Sequence, residues 1–379
     1  MRIGIDARFY GKLGKGLGRY TQQLIHYLEL EDRENEYFIF LRSQNFSEYI
    51  PKNDRFHKIL ADIPWYGFRE QFLMPKILRR YKLDLVHFLH FNVPIFYRRT
   101  FVVTIHDLIL LRHSTHQKNS TLFFFFYIFK FYAYKYILRT SLKRASHILT
   151  VSEFSKKDII SHYPFLPKEK ITVAYQPFFS LIKRDLKNSS DYSDILKKCG
   201  ILKPYLLYVG NAYPHKNLSN LIEAFLSIKR DDICLVLVGK IDIFYKRLQE
   251  FFSEAMEEKI IIFVGEVSDD ILDVLYREAK AFTFVSLYEG CGLPPLEAMA
   301  RGIPVISSRI SAMPEIQGRA SLYCDVKDQN SLGRAMRMVL DNEDVRNRCI
   351  RRGYEQVKKY KWRSFIHIIH RVYTQTSKE

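Results

Sequence analysis

Cysteine is scarce in this 379-residue chain: Cys199, Cys234, Cys291, Cys324 and Cys349 are odd in number, lie in the later half and form no Cys-x-x-Cys pair. A disulfide framework and structural zinc are therefore not expected, and a reducing compartment fits. Long apolar runs are lacking as well. The run Leu122-Phe-Phe-Phe-Phe-Tyr-Ile-Phe129 falls far short of the roughly 20 residues a spanning helix needs. The N-terminal Arg2-Ile-Gly-Ile-Asp6 has no long apolar region, so no signal peptide is expected. Repeats of solenoid period are missing, and no Asp-x-Asp at a strand end suggests a cation site. Acidic residues are absent from a whole window, with none between Asp107 and Glu153.

What is present is the composition of a folded protein, 47% apolar and 26% charged, in a chain long enough for two domains. The net charge of +18 is unevenly placed: residues 1–180 hold 28 Lys and Arg against 15 Asp and Glu, and the remainder 31 against 26. The first half is thus the one that meets an anionic partner. In its acid-free window, Lys135, Arg139 and Lys143 recur every four residues along a helix expected over Leu122–Arg144, with Phe131, Tyr134 and Leu138 on another face. Two readings stand: an interfacial helix on an anionic membrane, or a solvated basic face over an aromatic core. Nucleic acid is not expected, because no recognised DNA- or RNA-binding motif accompanies the charge.

Short Val/Ile/Leu runs alternate with helical segments along both halves, which implies parallel strands joined by helical crossovers. In the first half strands are expected at Arg2–Ile5, Tyr37–Leu41, Asp84–Phe88, Phe101–Ile105, His147–Val151 and Ile171–Val173. In the second they fall at Tyr205–Val209, Ile233–Val238, Ile260–Phe263, Phe282–Val285, Val305–Ser307 and Ser321–Cys324. The α/β fold class follows, with two Rossmann-like doubly wound domains facing a central cleft. Boundaries are placed at 1–180 and 181–358, with a linker in 175–203 around the polar run Lys183–Asp194 and a last helix in 359–379 crossing back to the first domain.

The segment Leu287–Gly302 carries the most chemistry. It sets Glu289 and Glu297 on either side of a Gly-rich turn that opens a helix, where glycines admit a ligand and free N–H groups face an anion. The glutamates can accept hydrogen bonds from hydroxyls, so the combination points to a nucleotide-sugar. Lys216 stands just before a helix after the strand Tyr205–Val209, placed to neutralise charge on a departing diphosphate. His106 ends the strand Phe101–Ile105, and the loop Gly11–Gly18 follows the first strand. A flexible turn, a structural histidine and a surface lysine are the plain alternatives for these three.

Together these residues carry a resemblance to the family-4 retaining glycosyltransferases of the GT-B fold, over nearly the whole chain. It rests on Ile5-Asp-Ala-Arg8 with Gly16 and Gly18, Thr104-Ile-His-Asp107, Val151-Ser-Glu-Phe-Ser155, Gly210 with Lys216-Asn217, Val264-Gly265, the Glu289/Glu297 pair and Met313-Pro-Glu315. The resemblance implies that Glu289 contacts the donor sugar and Glu297 the ribose. It implies that Cys291, Gly292 and Leu293 meet the sugar and diphosphate through backbone groups, and that Gly265–Val267 flank the base. His106 would lie by the transferred sugar, Gly16 and Gly18 by the phosphates, and Gly210 and Asn211 beside the donor. Asn211 and His215 stand where the family usually offers an arginine, and Cys291 replaces the usual aromatic.

The implied activity is metal-independent, retaining transfer of a hexose from GDP-mannose or a UDP-hexose, with mannose favoured. No cofactor is expected. The acceptor would be a glycan or a lipid-linked molecule in cell-surface polysaccharide synthesis, and the protein cytoplasmic, at the inner face of the membrane. Two other readings remain at this stage: a nucleotide-sugar epimerase or hydrolase on the same fold, and a non-catalytic sugar-nucleotide or polyanion-binding protein.

Overall fold

The computed structural model describes residues 1–112, 121–178 and 189–376. The chain divides into two units, Met1–Pro177 with Lys361–Glu379, and Phe178–Tyr360. Each is built on one parallel sheet. In the first, β1 (Arg2–Asp6), β2 (Glu36–Leu41), β3 (Phe56–Leu60), β4 (Leu85–Phe88), β5 (Phe101–Ile105), β6 (His147–Thr150) and β7 (Ile171–Val173) lie in the order β3-β2-β1-β4-β5-β6-β7. In the second, β8 (Tyr205–Val209), β9 (Cys234–Val238), β10 (Ile261–Gly265), β11 (Ala281–Phe284), β12 (Val305–Ser308) and β13 (Ser321–Cys324) lie in the order β10-β9-β8-β11-β12-β13. Both orders are doubly wound, with the direction of winding reversing between β1 and β4 and between β8 and β11.

Burial explains why these segments are strands. Helices cover both faces of a parallel sheet, so its strands read as unbroken apolar runs. Cys234–Val238 is buried at every residue, as are Phe101–Ile105 and Leu85–Phe88. β3 departs from this pattern most, since it carries His57 and Lys58 and pairs at the sheet edge, Tyr37 opposite Phe56. Its half-exposed, charged face hid it from the apolar pattern.

In the first unit, one side of the sheet packs Ile3, Ile5, Leu24, Ile25 and Leu28 against the C-terminal helix Trp362–Thr376 through Phe365, Ile366, Ile369, Val372 and Tyr373. The other side packs Val86, Phe88 and Val103 under Met74 and Leu78 of the helix Phe68–Arg80 and Leu138 and Leu142 of the helix Thr121–Arg144. Lys135, Arg139 and Lys143 are exposed on this last helix, while Leu138 is fully buried. The side chains of 121–127, most of the Phe run, fall outside the described residues.

The linker expectation needs correction. Residues 183–188 lie outside the described residues, but Ser189–Lys198 is a helix that packs on the helix Asp269–Arg277. Gly200, at φ +75°, closes it: its N–H donates to the Lys197 carbonyl and the Ile201 N–H donates to the Leu196 carbonyl. After β9 the chain forms two helices, Ile243–Phe251 and Ser253–Glu257, broken at Phe252 (φ −110°, ψ 32°).

Candidate active site

In the second unit, the loops leaving β8 and β11 emerge side by side where the winding reverses, the place ligands occupy in open α/β sheets. They are stitched together by the Leu287 N–H, which donates to the His215 carbonyl at 2.7 Å. Across this junction the Lys216 ammonium meets Glu289 Oε1 at 2.5 Å, with side-chain exposures of 15% and 13%. The same ammonium lies 5.7 Å from the centre of the Phe284 ring. Glu289 is held at its backbone too: its N–H donates to Ser311 Oγ at 3.0 Å and its carbonyl accepts from the Ala312 N–H at 3.4 Å.

Three residues on, Gly292 adopts φ +72° and opens the helix Leu293–Ala300. A Cβ there would lie 2.7 Å from Met313 Cε and 3.1 Å from Phe284 Cε1, so backbone and packing both demand glycine. No side chain caps this helix start, and Pro294 and Pro295 carry no N–H. The N–H groups of Cys291, Gly292 and Leu293 are therefore the donors near the helix start. Burial, with Glu289 and Glu315 nearby, pushes the Cys291 thiol up to about 12, so it stays protonated.

Glu297 sits one helical turn further in and is 6% exposed. Its Oε2 accepts from the Tyr276 hydroxyl at 3.1 Å, while its main-chain carbonyl accepts from Arg301, whose guanidinium also binds Asp273 at 2.7 Å. The helix Asp269–Arg277 thus fixes the carboxylate. Neither Tyr276 nor Ser311 stood out in the sequence, since each meets its glutamate across about twenty residues.

Glycines lace the ends of β8, β9 and β10. The Gly210 N–H donates to the Val238 carbonyl at 2.9 Å, the Tyr245 hydroxyl donates to the Gly210 carbonyl at 2.8 Å, and the Gly239 N–H donates to the Gly265 carbonyl at 3.0 Å. Gly239, which the sequence reading passed over, is the tightest: a Cβ would stand 1.9 Å from the Gly210 oxygen. Gly265 takes φ +84°, and Val267 beyond it is half-buried. The Asn211 carbonyl accepts from Tyr208, its Oδ1 accepts from the Tyr213 N–H, and His215 is buried. Both therefore shape the turn that delivers Lys216.

In the first unit, β1 runs into a buried charge cluster. Arg8, 0% exposed, donates to both Asp6 oxygens at 2.8 and 2.7 Å and to Glu70 Oε1 at 2.5 Å, and Asn92 donates to Glu70 Oε2 at 2.7 Å. Ile5-Asp-Ala-Arg8 thus anchors the loops at the strand's carboxyl end. The helix Lys15–Glu31 starts just beyond without a side-chain cap. Gly18 is buried, and a Cβ on it would lie 2.0 Å from the Gly11 oxygen, whereas Gly16 is exposed with nothing within 4 Å of that position.

His106 follows β5. Its Nε2 lies 3.0 Å from the Leu89 carbonyl, which can only accept, so that nitrogen carries the proton and Nδ1 the lone pair. Tyr20 meets the ring edge-on at 4.7 Å. Burial pulls His106 down to about 4, so it is neutral at pH 7.

Gly16, Gly18 and His106 therefore belong to one unit, and Lys216, Glu289, Glu297, Gly210, Asn211, Gly265, Val267, Cys291, Gly292 and Leu293 to the other. Within the second unit Lys216 and Glu289 touch directly, and Gly210 and Gly265 are joined through Gly239.

Known proteins share this architecture. Sucrose-phosphate synthase from Thermosynechococcus elongatus superposes with a TM-score of 0.75 at 17% identity over 99% of this chain and 98% of that one. WaaG, a glycosyltransferase involved in lipopolysaccharide biosynthesis, superposes with a TM-score of 0.70 at 14% identity over 94% and 95%. Two sheets of this kind define the GT-B class of glycosyltransferase. The Glycosyltransferase Family 4 model matches residues 14–178 and the Glycosyl transferases group 1 model matches residues 197–356. O-antigen chain mannosyltransferase B of Escherichia coli is 28% identical over 92% of both chains, and O-antigen chain mannosyltransferase RfbU of Salmonella typhimurium is 29% identical over 76% of this chain and 74% of that one. The chain belongs to the family-4 glycosyltransferases, and its activity is glycosyl transfer.

Proposed function

We propose that this protein transfers mannose from GDP-mannose to a glycan or lipid-linked acceptor, with retention of anomeric configuration and without a metal ion, in cell-surface polysaccharide synthesis. The Lys216–Glu289 pair beside the uncapped helix start at Gly292 carries this reading. An arriving diphosphate competes for the ammonium, which releases the Glu289 carboxylate to accept from hydroxyls of the sugar. Lys216 and the N–H groups of Cys291–Leu293 then supply the positive charge a cation would otherwise bring as the leaving oxygen gains charge. The bond from the anomeric carbon to the β-phosphate oxygen breaks with its electron pair going to that oxygen. The acceptor hydroxyl bonds the same face and passes its proton to the departing phosphate.

Glu297 holds the ribose, Gly265–Val267 flank the base, Gly210 and Asn211 border the donor, and Gly16 and Gly18 approach the phosphates. Neutral His106 accepts through Nδ1 from a sugar hydroxyl. No cofactor takes part. The mannosyltransferase relatives in O-antigen synthesis support the sugar and the pathway class. Among the described residues no helix is long and apolar enough to cross a membrane, and we place the protein at the cytoplasmic face through the basic helix ending at Arg144.

A thermal-shift panel of GDP-mannose and UDP-hexoses tests the donor, since a ligand at 100 times its dissociation constant stabilises by about 2.7 kcal/mol. GDP-mannose is expected to raise the midpoint most. Glu289→Ala is expected to fold and to lose transfer; transfer by that variant, inversion at the anomeric carbon seen by NMR, or loss of activity in chelator would each refute part of the reading.

A further inference from the structure

Tyr66, in the turn between β3 and the helix Phe68–Arg80, has φ +65°. That is the left-handed region, which glycine and asparagine enter readily and where a bulky side chain is an outlier. Its neighbours hold it there. The Tyr66 N–H donates to Glu70 Oε2 at 2.8 Å, and that carboxylate is itself fixed by Arg8 and Asn92. Arg8 Nη1 also donates to the Ile63 carbonyl at 3.2 Å, so one buried guanidinium pins the turn on both sides of Tyr66. Trp65 is clamped as well: Phe9 stacks on it at 4.3 Å, and the Arg42 guanidinium lies 4.9 Å from its ring centre. The Tyr66 ring stands outside this frame, 57% exposed, with Phe91 stacked at 6.1 Å and His90 edge-on at 6.0 Å.

These residues share the carboxyl end of the first sheet. Phe9 follows β1, Arg42 β2, Tyr66 β3 and His90 β4. His106, after β5, donates to the carbonyl of Leu89, the residue that leads into His90. Backbone strain that neighbours maintain collects at ligand-binding positions. The cluster also selects a kind of ligand. Its two guanidiniums are already matched by carboxylates, Arg8 by Asp6 and Glu70 and Arg42 by Asp62 at 3.6 Å, which leaves them poorly placed to take a phosphate. What it presents is an aromatic face with polar tips, the Tyr66 hydroxyl lying 3.4 Å from His90 Nδ1. A sugar ring is the complement: its C–H face suits the negative face of an aromatic ring, and its hydroxyls suit the polar edge.

We propose that Tyr66 is the stacking platform for the terminal sugar of the acceptor, so that the acceptor is selected by its saccharide ring and not by a phosphate. The platform rests on the placement of His106 beside the transferred sugar, and it names the acceptor chemistry that the proposed function leaves open. Saturation-transfer NMR on the full chain tests it, with the methyl glycosides of mannose, glucose, galactose and N-acetylglucosamine, and dodecyl phosphate, as probes. Saturating the aromatic protons is expected to reach the ring C–H protons of at least one glycoside. Tyr66→Phe is expected to keep that signal. Tyr66→Asn is expected to weaken glycoside binding about tenfold, the worth of one aromatic contact. The same variant is expected to keep or raise the thermal midpoint, because asparagine tolerates the left-handed backbone. In transfer to the bound glycoside, Tyr66→Asn is expected to raise the acceptor KM and leave the donor KM unchanged, a split that a merely structural tyrosine would not produce. Thermal shifts with GDP-mannose keep the two readings apart: a donor shift with no glycoside signal refutes the platform alone, and a glycoside signal with no donor shift refutes the donor assignment alone. The platform is overturned by no signal from any glycoside, by a signal that survives Tyr66→Asn undiminished, by a response to dodecyl phosphate only, or by failure of Tyr66→Asn to fold, which marks the ring as structural.

Discussion

Gly16 and Gly18 stand two positions apart in one helix turn and answer to different constraints. Gly18 is required by packing, because a Cβ would collide with the Gly11 oxygen, while Gly16 faces open space at a helical position. Alanine suits a helix better than glycine by about 0.5–1 kcal/mol. Gly16→Ala is therefore expected to leave the thermal midpoint unchanged or raised while weakening donor affinity, if phosphates approach there. Gly18→Ala is expected to lower the midpoint outright, and calorimetry with donor titration on the two variants separates the effects. At Lys216, loss of the ammonium strands a poorly solvated carboxylate. Lys216→Met is accordingly expected to destabilise the ligand-free protein, and Lys216→Met combined with Glu289→Gln to recover part of that loss.

Among elements, the helix Trp362–Thr376 is tied to the sheet by a polar chain as well as by apolar burial. Tyr373 bonds His87 Nδ1 at 2.7 Å and Thr104 bonds Nε2 at 2.8 Å, all in the core. Burial, then the nearby His106, pulls His87 down to about 3, against roughly 6.5 in an unfolded chain. Between those values the unfolded chain binds more protons, so stability rises with pH. The contribution is whole above pH 6.5 and is lost as pH falls towards 3, at roughly 1.4 kcal/mol per pH unit. His90 and His106 are pulled down by burial too, to about 3 and about 4, so they add to the slope. Denaturant midpoints measured from pH 7 to pH 5 are expected to fall, and to fall less steeply in His87→Gln; equal slopes would refute the buried neutral histidine.

For the whole molecule, the chain's return to its first unit is a stability requirement. Phe365, Ile366, Ile369, Val372 and Tyr373 are 0–2% exposed, and full burial of such side chains is worth about 1.5–3 kcal/mol each. Together that is comparable to the 5–15 kcal/mol by which domains are stable. Truncation before Lys361 is thus expected to unfold the first unit, with loss of soluble yield or of protease resistance in residues 1–177; a truncated chain of wild-type resistance would contradict it.

The sequence by itself determined the alternation of strands and helices, the two doubly wound sheets and the motif positions at strand ends, because fully buried strands must be apolar and glycine turns are local. Edge strand β3 escaped, since its exposed charges break the apolar run, and so did the helix Ser189–Lys198, whose polar face resembles a linker. Only the tertiary structure decided which side chains meet. It closed Lys216 on Glu289 and put Tyr276 on Glu297, pairs formed by loops and helices that the order of residues does not connect. It also turned Asp6 and Arg8 inward to Glu70, and set Tyr66 outward beside His90. Burial and contact across a sheet depend on the packing of distant elements, and that information exists only once the chain has folded.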